Sequence, residues 1–445
     1  MTVHVRFAPS PTGLLHIGNI RAALFNYLFA KKMGGTFLLR LDDTDRVRST
    51  DAFVEALFRD MKWLGFHWDS LARQSDRYGR YAEVLEQLKK SGRAYPCFET
   101  QAELDLKRKT QLGRGLPPVY DRSALKLTPD EVAAKIAAGE KPHWRFKLEQ
   151  RDVIWDDAIQ GRKVISASTV SDPVLMRADG VPLYTFCSVV DDIDMDITHV
   201  IRGEDHVTNT TNQIQIWQAI TDVPPPVFAH YPLMTSATGE EMSKRLGAMS
   251  IQSMREEEKV ESLAIASLLA SLGTPDPVEP HQSLDELAAK FDFKKISRAT
   301  VKFDMEELKH LSAKILHHMP FEKAEARLKE IGAVGVNRAF WDAVHANLTT
   351  MEDILHWWRV IEDRVTPVIE DAEFVHTAAS LLPPEPWDGE TWRAWTNDLK
   401  AKTGRKGKEL FMPLRLALTG EAHGPEMKDL LPLIGREKAL ERLGG

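Results

Sequence analysis

RFAPSPTGLLHIGN, residues 6–19, is the stretch where an apolar strand gives way to a helix. Val3, Val5 and Phe7 alternate as in a strand, and Ile20, Ala23, Leu24, Tyr27 and Leu28 recur at helical spacing until Gly34-Gly35 stops the pattern. The small residues of the Pro- and Gly-rich turn let backbone N–H groups approach a phosphate closely, and the helix start adds the positive end of its dipole. His16 and Asn19, one turn apart, stand at that start. Spacing alone is equally that of an ordinary strand-turn-helix unit.

A second stretch far along the chain narrows the choice. TGEEMSKRLG, residues 238–247, is polar and Gly-flanked and sets Ser243, Lys244 and Arg245 side by side, which suits an anion-binding loop. Between the two, residues 36–41 read as an apolar strand that ends in Asp42, Asp43, Thr44 and Asp45, where open α/β sheets collect ligands. The plainer explanation of those acids is a turn before a helix cap at Ser49-Thr50-Asp51, and Asp45 is left to it. Further strands are expected at 174–176 and 184–190. Asp191, Asp192, Asp194 and Asp196 then invite a metal reading, but an EF-hand loop starting at Asp192 needs Gly at its sixth position and has Ile197. Residues 199–202 form a strand that delivers Arg202, a helix runs through Ile214 and Trp217, and a strand at 227–230 leads to Leu233 and Met234. Neither G-x-G-x-x-G nor G-x-x-x-x-G-K-[ST] occurs, which disfavours dehydrogenase and P-loop folds.

A chain of 445 residues has room for two to four domains. No stretch reaches membrane-spanning length, and the N-terminus lacks a secretory pattern, so a soluble cytoplasmic protein is expected. Cys97 and Cys187, the two cysteines, are too few for a disulfide framework and read as buried thiols. A net charge of −7 excludes a protein that coats nucleic acid indiscriminately; any RNA partner must meet local basic patches. Lys400, Lys402, Arg405, Lys406 and Lys408 make the densest such run.

The two stretches together resemble the signature motifs of class I aminoacyl-tRNA synthetases: His16-Ile17-Gly18-Asn19 their HIGH motif, and Glu241-Met242-Ser243-Lys244-Arg245 their KMSKS motif. RFAPSPTG (6–13), LLRLDDTDRVRST (38–50), YTFCSVVDD (184–192), HVIRGEDH (199–206) and PLRLALTG (413–420) are narrower, and with them the chain resembles a bacterial-type glutamyl-tRNA synthetase from about its first residue to its last. The resemblance implies an α/β fold: a Rossmann-like catalytic domain in two halves (1–94 and 173–250) around an inserted acceptor-binding subdomain (95–172). A helical stem-contact domain (251–323) and an all-helical anticodon-binding region (324–445) follow.

The implied reaction joins glutamate to ATP and moves the glutamyl group to the 3′ end of tRNA(Glu), in a monomer, with Mg2+ accompanying ATP and no structural zinc. Some relatives hold zinc in the insertion through several cysteines, whereas Cys97 here is followed by Phe98 and Glu99. His16, Gly18, Asn19, Ser243, Lys244 and Arg245 match the catalytic positions, and Ser10, Glu204, Leu233 and Met234 join them around the nucleotide. Arg6 and Arg202, beside Tyr184, Ser188, Ala8 and Ser10, match the glutamate site, where a guanidinium fork suits a carboxylate, and Asp42 matches the acid facing the α-ammonium. Three positions depart from the family: Asp42 is commonly Glu, Ser188 is often Asn, and Glu241 replaces the first Lys of KMSKS. The departures at Asp42 and Glu241 keep a catalytically weakened tRNA-binding paralogue as the alternative. Relatives restricted to tRNA(Glu) tend to carry an Arg near the anticodon's third base; residues 381–387 offer prolines and a glutamate, which leaves tRNA(Gln) as a second partner.

Overall fold

The computed structural model describes residues 2–236, 250–362 and 365–444, so Glu241, Ser243, Lys244 and Arg245 lie outside the described residues. The chain divides into two compact units, Met1–Glu258 with Ala266–Asp304, and Lys259–Ile265 with Met305–Gly445.

The first unit is built on parallel strands. His4–Phe7, Thr36–Leu41 and Ser70–Arg73 pair in that order, and His199–Gly203 pairs with Val227–Tyr231. Thr198 N–H donates to the His4 carbonyl at 3.0 Å, which lays the second pair against the free edge of the first strand. The resulting sequence of strands reverses direction of travel between 4–7 and 199–203, the topological switch point at which doubly wound sheets bind ligands beyond the carboxyl ends of their strands. Both strands there are buried on both faces, which is why they read as nearly continuous apolar runs. The helix Ile17–Met33 returns the chain from the first strand to the second, and it ends at Gly34, whose φ of 60° favours glycine. Gly35 must also lack a side chain, because a Cβ there would lie 2.3 Å from the Val3 carbonyl oxygen.

Residues 184–190 are helical, where the sequence suggests a strand: the element is the helix Tyr184–Asp194. Phe186, Cys187, Ser188, Val189 and Val190 are all buried in it, and so short a buried, mostly apolar run reads alike as helix or strand.

The segment between the two parallel sets contributes an antiparallel sheet of Ala94–Cys97, His143–Phe146 and Val174–Met176. It also contributes a hairpin, Asp152–Asp157 with Gly161–Ser166, whose Val153 and Trp155 pack with Ile197, Val200, Ile214 and Phe228. That hairpin therefore belongs to the core of the parallel body. Two further helices, Gln101–Gly113 and Pro129–Ala137, bury none of their residues. Glu99 is the hub beside Cys97: it accepts hydrogen bonds from the Cys97 thiol (3.1 Å), Ser123 (2.8 Å), Tyr120 and Lys107.

In the second unit, helices enclose a core around the fully buried Trp341, Trp395, Leu399 and Leu414. No helix among the described residues is long and apolar enough to cross a membrane.

Candidate active site

The helix start after the first strand is set by His16, the N-cap. Its Nδ1 accepts the Gly18 N–H at 3.1 Å, and Asn19 Oδ1 accepts the His16 N–H at 3.1 Å, closing a reciprocal capping box. Since Nδ1 is an acceptor, the ring proton resides on Nε2, and burial lowers the imidazole's pKa, so the group is a neutral donor. Gly18 lies directly beneath the ring: a Cβ would sit 3.0 Å from its Cε1.

The far end of the undescribed stretch is tied to this same point. Ser250 forms an antiparallel bridge with His16, and Ile251 N–H donates to the Leu15 carbonyl at 2.9 Å. Before that stretch, Met234–Ser236 pairs with Val301–Phe303, and Leu233 N–H donates to Glu204 Oε1 at 3.0 Å. Glu204 and Leu233, both nucleotide candidates from the sequence, are thus adjacent, at the carboxyl ends of neighbouring strands.

Arg6, on the first strand, is bonded through Nε (3.1 Å) and Nη2 (3.3 Å) to Asp192. Arg40 donates to Asp192 at 2.7 Å and to Asp42 at 2.8 Å, so two buried guanidiniums are balanced by two buried carboxylates. Burial pushes the Asp42 carboxyl up to about 6 against the pull of Arg40. The Asp42 N–H donates to the Pro9 carbonyl at 3.0 Å, which holds Asp42 next to half-buried Ala8 and exposed Ser10. Asp191 takes Arg77 (2.7 Å) and Gln74 (2.8 Å), and Asp194 takes Arg77 and Arg80 (2.9 Å). Asp191, Asp192 and Asp194, of the carboxylates that suggested a metal, are therefore occupied by the protein's own cations, and no group of acids, histidines or cysteines among the described residues is arranged to hold an ion.

Arg202 differs from these. It is 6% exposed, yet every hydrogen-bond partner it has among the described residues is neutral: His230 Nε2 (3.2 Å), Tyr184 Oη (3.1 Å), Thr210 Oγ1 (2.7 Å) and Gln213 Oε1 (2.6 Å). Burial lowers its pKa, and Arg6 adds to that, but a guanidinium keeps its charge. Asp192 favours the charge through space, but with no carboxylate hydrogen-bonded to it among the described residues this buried cation is costly unless an anion joins it. Nε and both Nη2 hydrogens are used, which leaves one Nη1 N–H, so the two-toothed fork expected from the sequence is not available. Tyr184 accepts from Nη1 and keeps its own O–H to donate, so N–H and O–H converge where one carboxylate fits.

Ser188 departs from its expected place. It is fully buried, donates to the Tyr184 carbonyl (2.7 Å) and accepts from Gln213 Nε2 (2.7 Å), so it stands behind Arg202 and steadies Gln213. Gln213, Thr210, His230 and Asp157 were not singled out from the sequence. A signal for the first two exists in Thr210-Thr211-Asn212-Gln213, a polar run buried within the helix Val207–Ile220.

With this geometry in view, the family model for class I tRNA synthetases (E and Q), catalytic domain, matches residues 2–310, and the model for the anticodon binding domain matches 319–445. Fold and site together are those of a class I tRNA synthetase. Curated relatives include the glutamate–tRNA ligase of Azospirillum brasilense, 55% identical over 445 residues with 100% of this chain and 99% of that protein covered. Glutamate–tRNA ligase 1 of Parvibaculum lavamentivorans is 54% identical, with 99% and 98% covered. Among solved structures, a glutamate tRNA ligase from Elizabethkingia meningosepticum in complex with its amino acid superposes with a TM-score of 0.87 at 29% identity, covering 100% of this chain and 99% of that one. The chain belongs to the glutamate–tRNA ligase family.

Proposed function

We propose that this protein activates L-glutamate with ATP and transfers the glutamyl group to the 3′ end of tRNA(Glu), and that Arg202 and Tyr184 receive the substrate's side-chain carboxylate. The observation that carries the assignment is the buried Arg202, whose hydrogen-bond partners among the described residues are all neutral. Asp42 meets the α-ammonium, while Arg6 shapes the pocket with Ala8 and Ser10. An oxygen of the glutamate α-carboxylate attacks the α-phosphorus of ATP and the bond to pyrophosphate breaks; a terminal ribose hydroxyl of tRNA then attacks the acyl carbon and AMP departs. Such chemistry needs positioned charge more than a covalent partner. His16, Gly18 and Asn19 supply donors at a helix start, with Lys244, Ser243 and Arg245 as the second set, and Ser10, Glu204, Leu233 and Met234 line the nucleotide. Mg2+ travels with the triphosphate and needs no protein cage. The enzyme works as a cytoplasmic monomer, and tRNA(Gln) is a second acceptor.

ATP–pyrophosphate exchange tests the reading. Exchange supported by glutamate but not glutamine, and reduced on the order of 10²-fold by Lys244→Ala, is the expected result. Near-normal exchange in that variant removes Lys244 from the site, and no exchange in the wild type, with or without tRNA, turns the reading into a binding protein. Charging of purified individual tRNAs decides the second acceptor: rejection of every glutamine isoacceptor ends that part.

A further inference from the structure

From the hydrogen-bond chain behind Arg202, we infer that Asp157 and His230 are positioning residues for glutamate, which act by fixing the ring tautomer that aims the Arg202 guanidinium. This rests on the reading that Arg202 meets the substrate carboxylate.

Arg202 Nε can only donate, so the atom it meets at 3.2 Å, His230 Nε2, must present a lone pair. Thr210 Oγ1 accepts from Arg202 Nη2 (2.7 Å) and lies 3.0 Å from the same His230 Nε2, with the His206 carbonyl (3.3 Å) as a second acceptor for its proton. The Arg202 contact requires His230 to be neutral with its proton on Nδ1, and the Thr210 contact is compatible with that state. Asp157 enforces that state: its Oδ2 takes the Nδ1–H at 2.5 Å, while its Oδ1 accepts the backbone N–H of His230 (3.1 Å), Gln160 (2.9 Å) and Ile159 (3.1 Å). Asp157 and His230 side chains are both completely buried, so water cannot substitute for either partner.

Asp157 ends the first strand of the hairpin, and His230 sits on the strand next to the one carrying Arg202, in register with it. The hairpin thus reaches the glutamate pocket without touching it. With the wrong tautomer, Nε2–H would oppose the Nε–H of Arg202, and the guanidinium would rotate away from Tyr184.

The test compares Asp157→Asn, Asp157→Ala and Arg202→Lys by Michaelis constants for both substrates, with the His230 tautomer read from two-bond 1H–15N correlations in 15N-histidine-labelled enzyme and assigned by loss of its signals in His230→Gln. Expected is an Nδ1-protonated, neutral His230 in the wild type. Asp157→Asn, whose one oxygen keeps the three backbone N–H donors and whose amide N–H then faces Nδ1, drives His230 to the Nε2–H tautomer and raises KM for glutamate at least about tenfold with KM for ATP unmoved; Asp157→Ala raises it likewise, with a changed tautomer signature. Should Asp157→Ala not fold, the wild-type tautomer still decides: a protonated or Nε2–H imidazole overturns the inference. So does an Asp157→Ala enzyme whose two KM values rise together. Arg202→Lys separates the levels: if it leaves KM for glutamate unchanged, the reading of Arg202 falls and the inference with it; if it raises KM while Asp157→Ala does nothing, the inference alone falls.

Discussion

Gly18 has no side chain because the His16 imidazole covers its Cα, with Cε1 and Nδ1 at 3.0 and 3.1 Å from the place a Cβ would take. Gly18→Ala must therefore push the ring by a few tenths of an ångström and tilt its Nε2 proton, and at a site that works by positioning we expect ATP–pyrophosphate exchange to fall about tenfold. An unchanged rate would show that the ring yields without consequence. Asp42 gives a pH-dependent prediction. Its folded pKa of about 6 stands above the ordinary value of about 4 for an aspartate, so the folded chain holds the proton more tightly between those values, and ionisation opposes folding as pH rises through that window. On the proposed contact between Asp42 and the α-ammonium, glutamate binding needs the ionised form; KM for glutamate should rise as pH falls below about 6, with KM for ATP flat across the range, and Asp42→Asn should give a high, pH-independent KM for glutamate. Parallel rises for both substrates would place Asp42 elsewhere. At this scale His16, Gly18, Tyr184 and Arg202 were legible, because each sits in a motif or at a strand end. Asp157 and His230 were not: they are 73 residues apart, and nothing local marks either as the other's partner.

Secondary elements were legible where period and length agreed, as at His4–Phe7, Thr36–Leu41 and His199–Gly203, and failed at Tyr184–Asp194, where continuous burial from Phe186 to Asp192 masked the helical period. Likewise hidden was the placement of the Asp152–Ser166 hairpin in the catalytic body, since its alternation specifies a half-buried hairpin but not what covers it. The short helix Ile251–Glu256 offers a test at this level. It begins beside His16 and is held to the helix Asp51–Trp63 by Arg255, which donates to the completely buried Asp60 at 2.6 Å. Arg255→Ala strands that carboxylate, at a cost of about 3 kcal/mol. Calorimetry should show the catalytic unit melting several degrees lower, and KM for ATP should rise as the anchor beside His16 loosens. Replacing both partners with Asp60→Asn and Arg255→Met should restore most of the stability, because a neutral pair leaves no buried charge; no recovery would mean that the helix is held by packing alone.

For the whole molecule the governing quantity is charge. A body at −7 repels a polyanion, so tRNA binding depends on local cations, and the run near the C-terminus can now be divided. Arg405 is committed to its own unit: it donates to Asp371 at 2.5 Å and its guanidinium lies 4.2 Å over the Phe374 ring. Lys400, Lys402, Lys406 and Lys408 are exposed, at the end of the helix Thr391–Thr403 and the start of Lys408–Thr419. A solvated face would leave tRNA affinity untouched when they are removed, whereas phosphate contacts release counter-ions, and each lost contact flattens the plot of log affinity against log salt by about 0.7 to 0.9. Replacing all four lysines by alanine should therefore weaken tRNA(Glu) binding at low salt and reduce the slope by up to about 3, with the wild-type and variant curves converging as salt rises. Parallel curves would instead assign the loss to a changed fold or to general charge, and identical curves would leave the lysines as solubilising surface on an acidic enzyme.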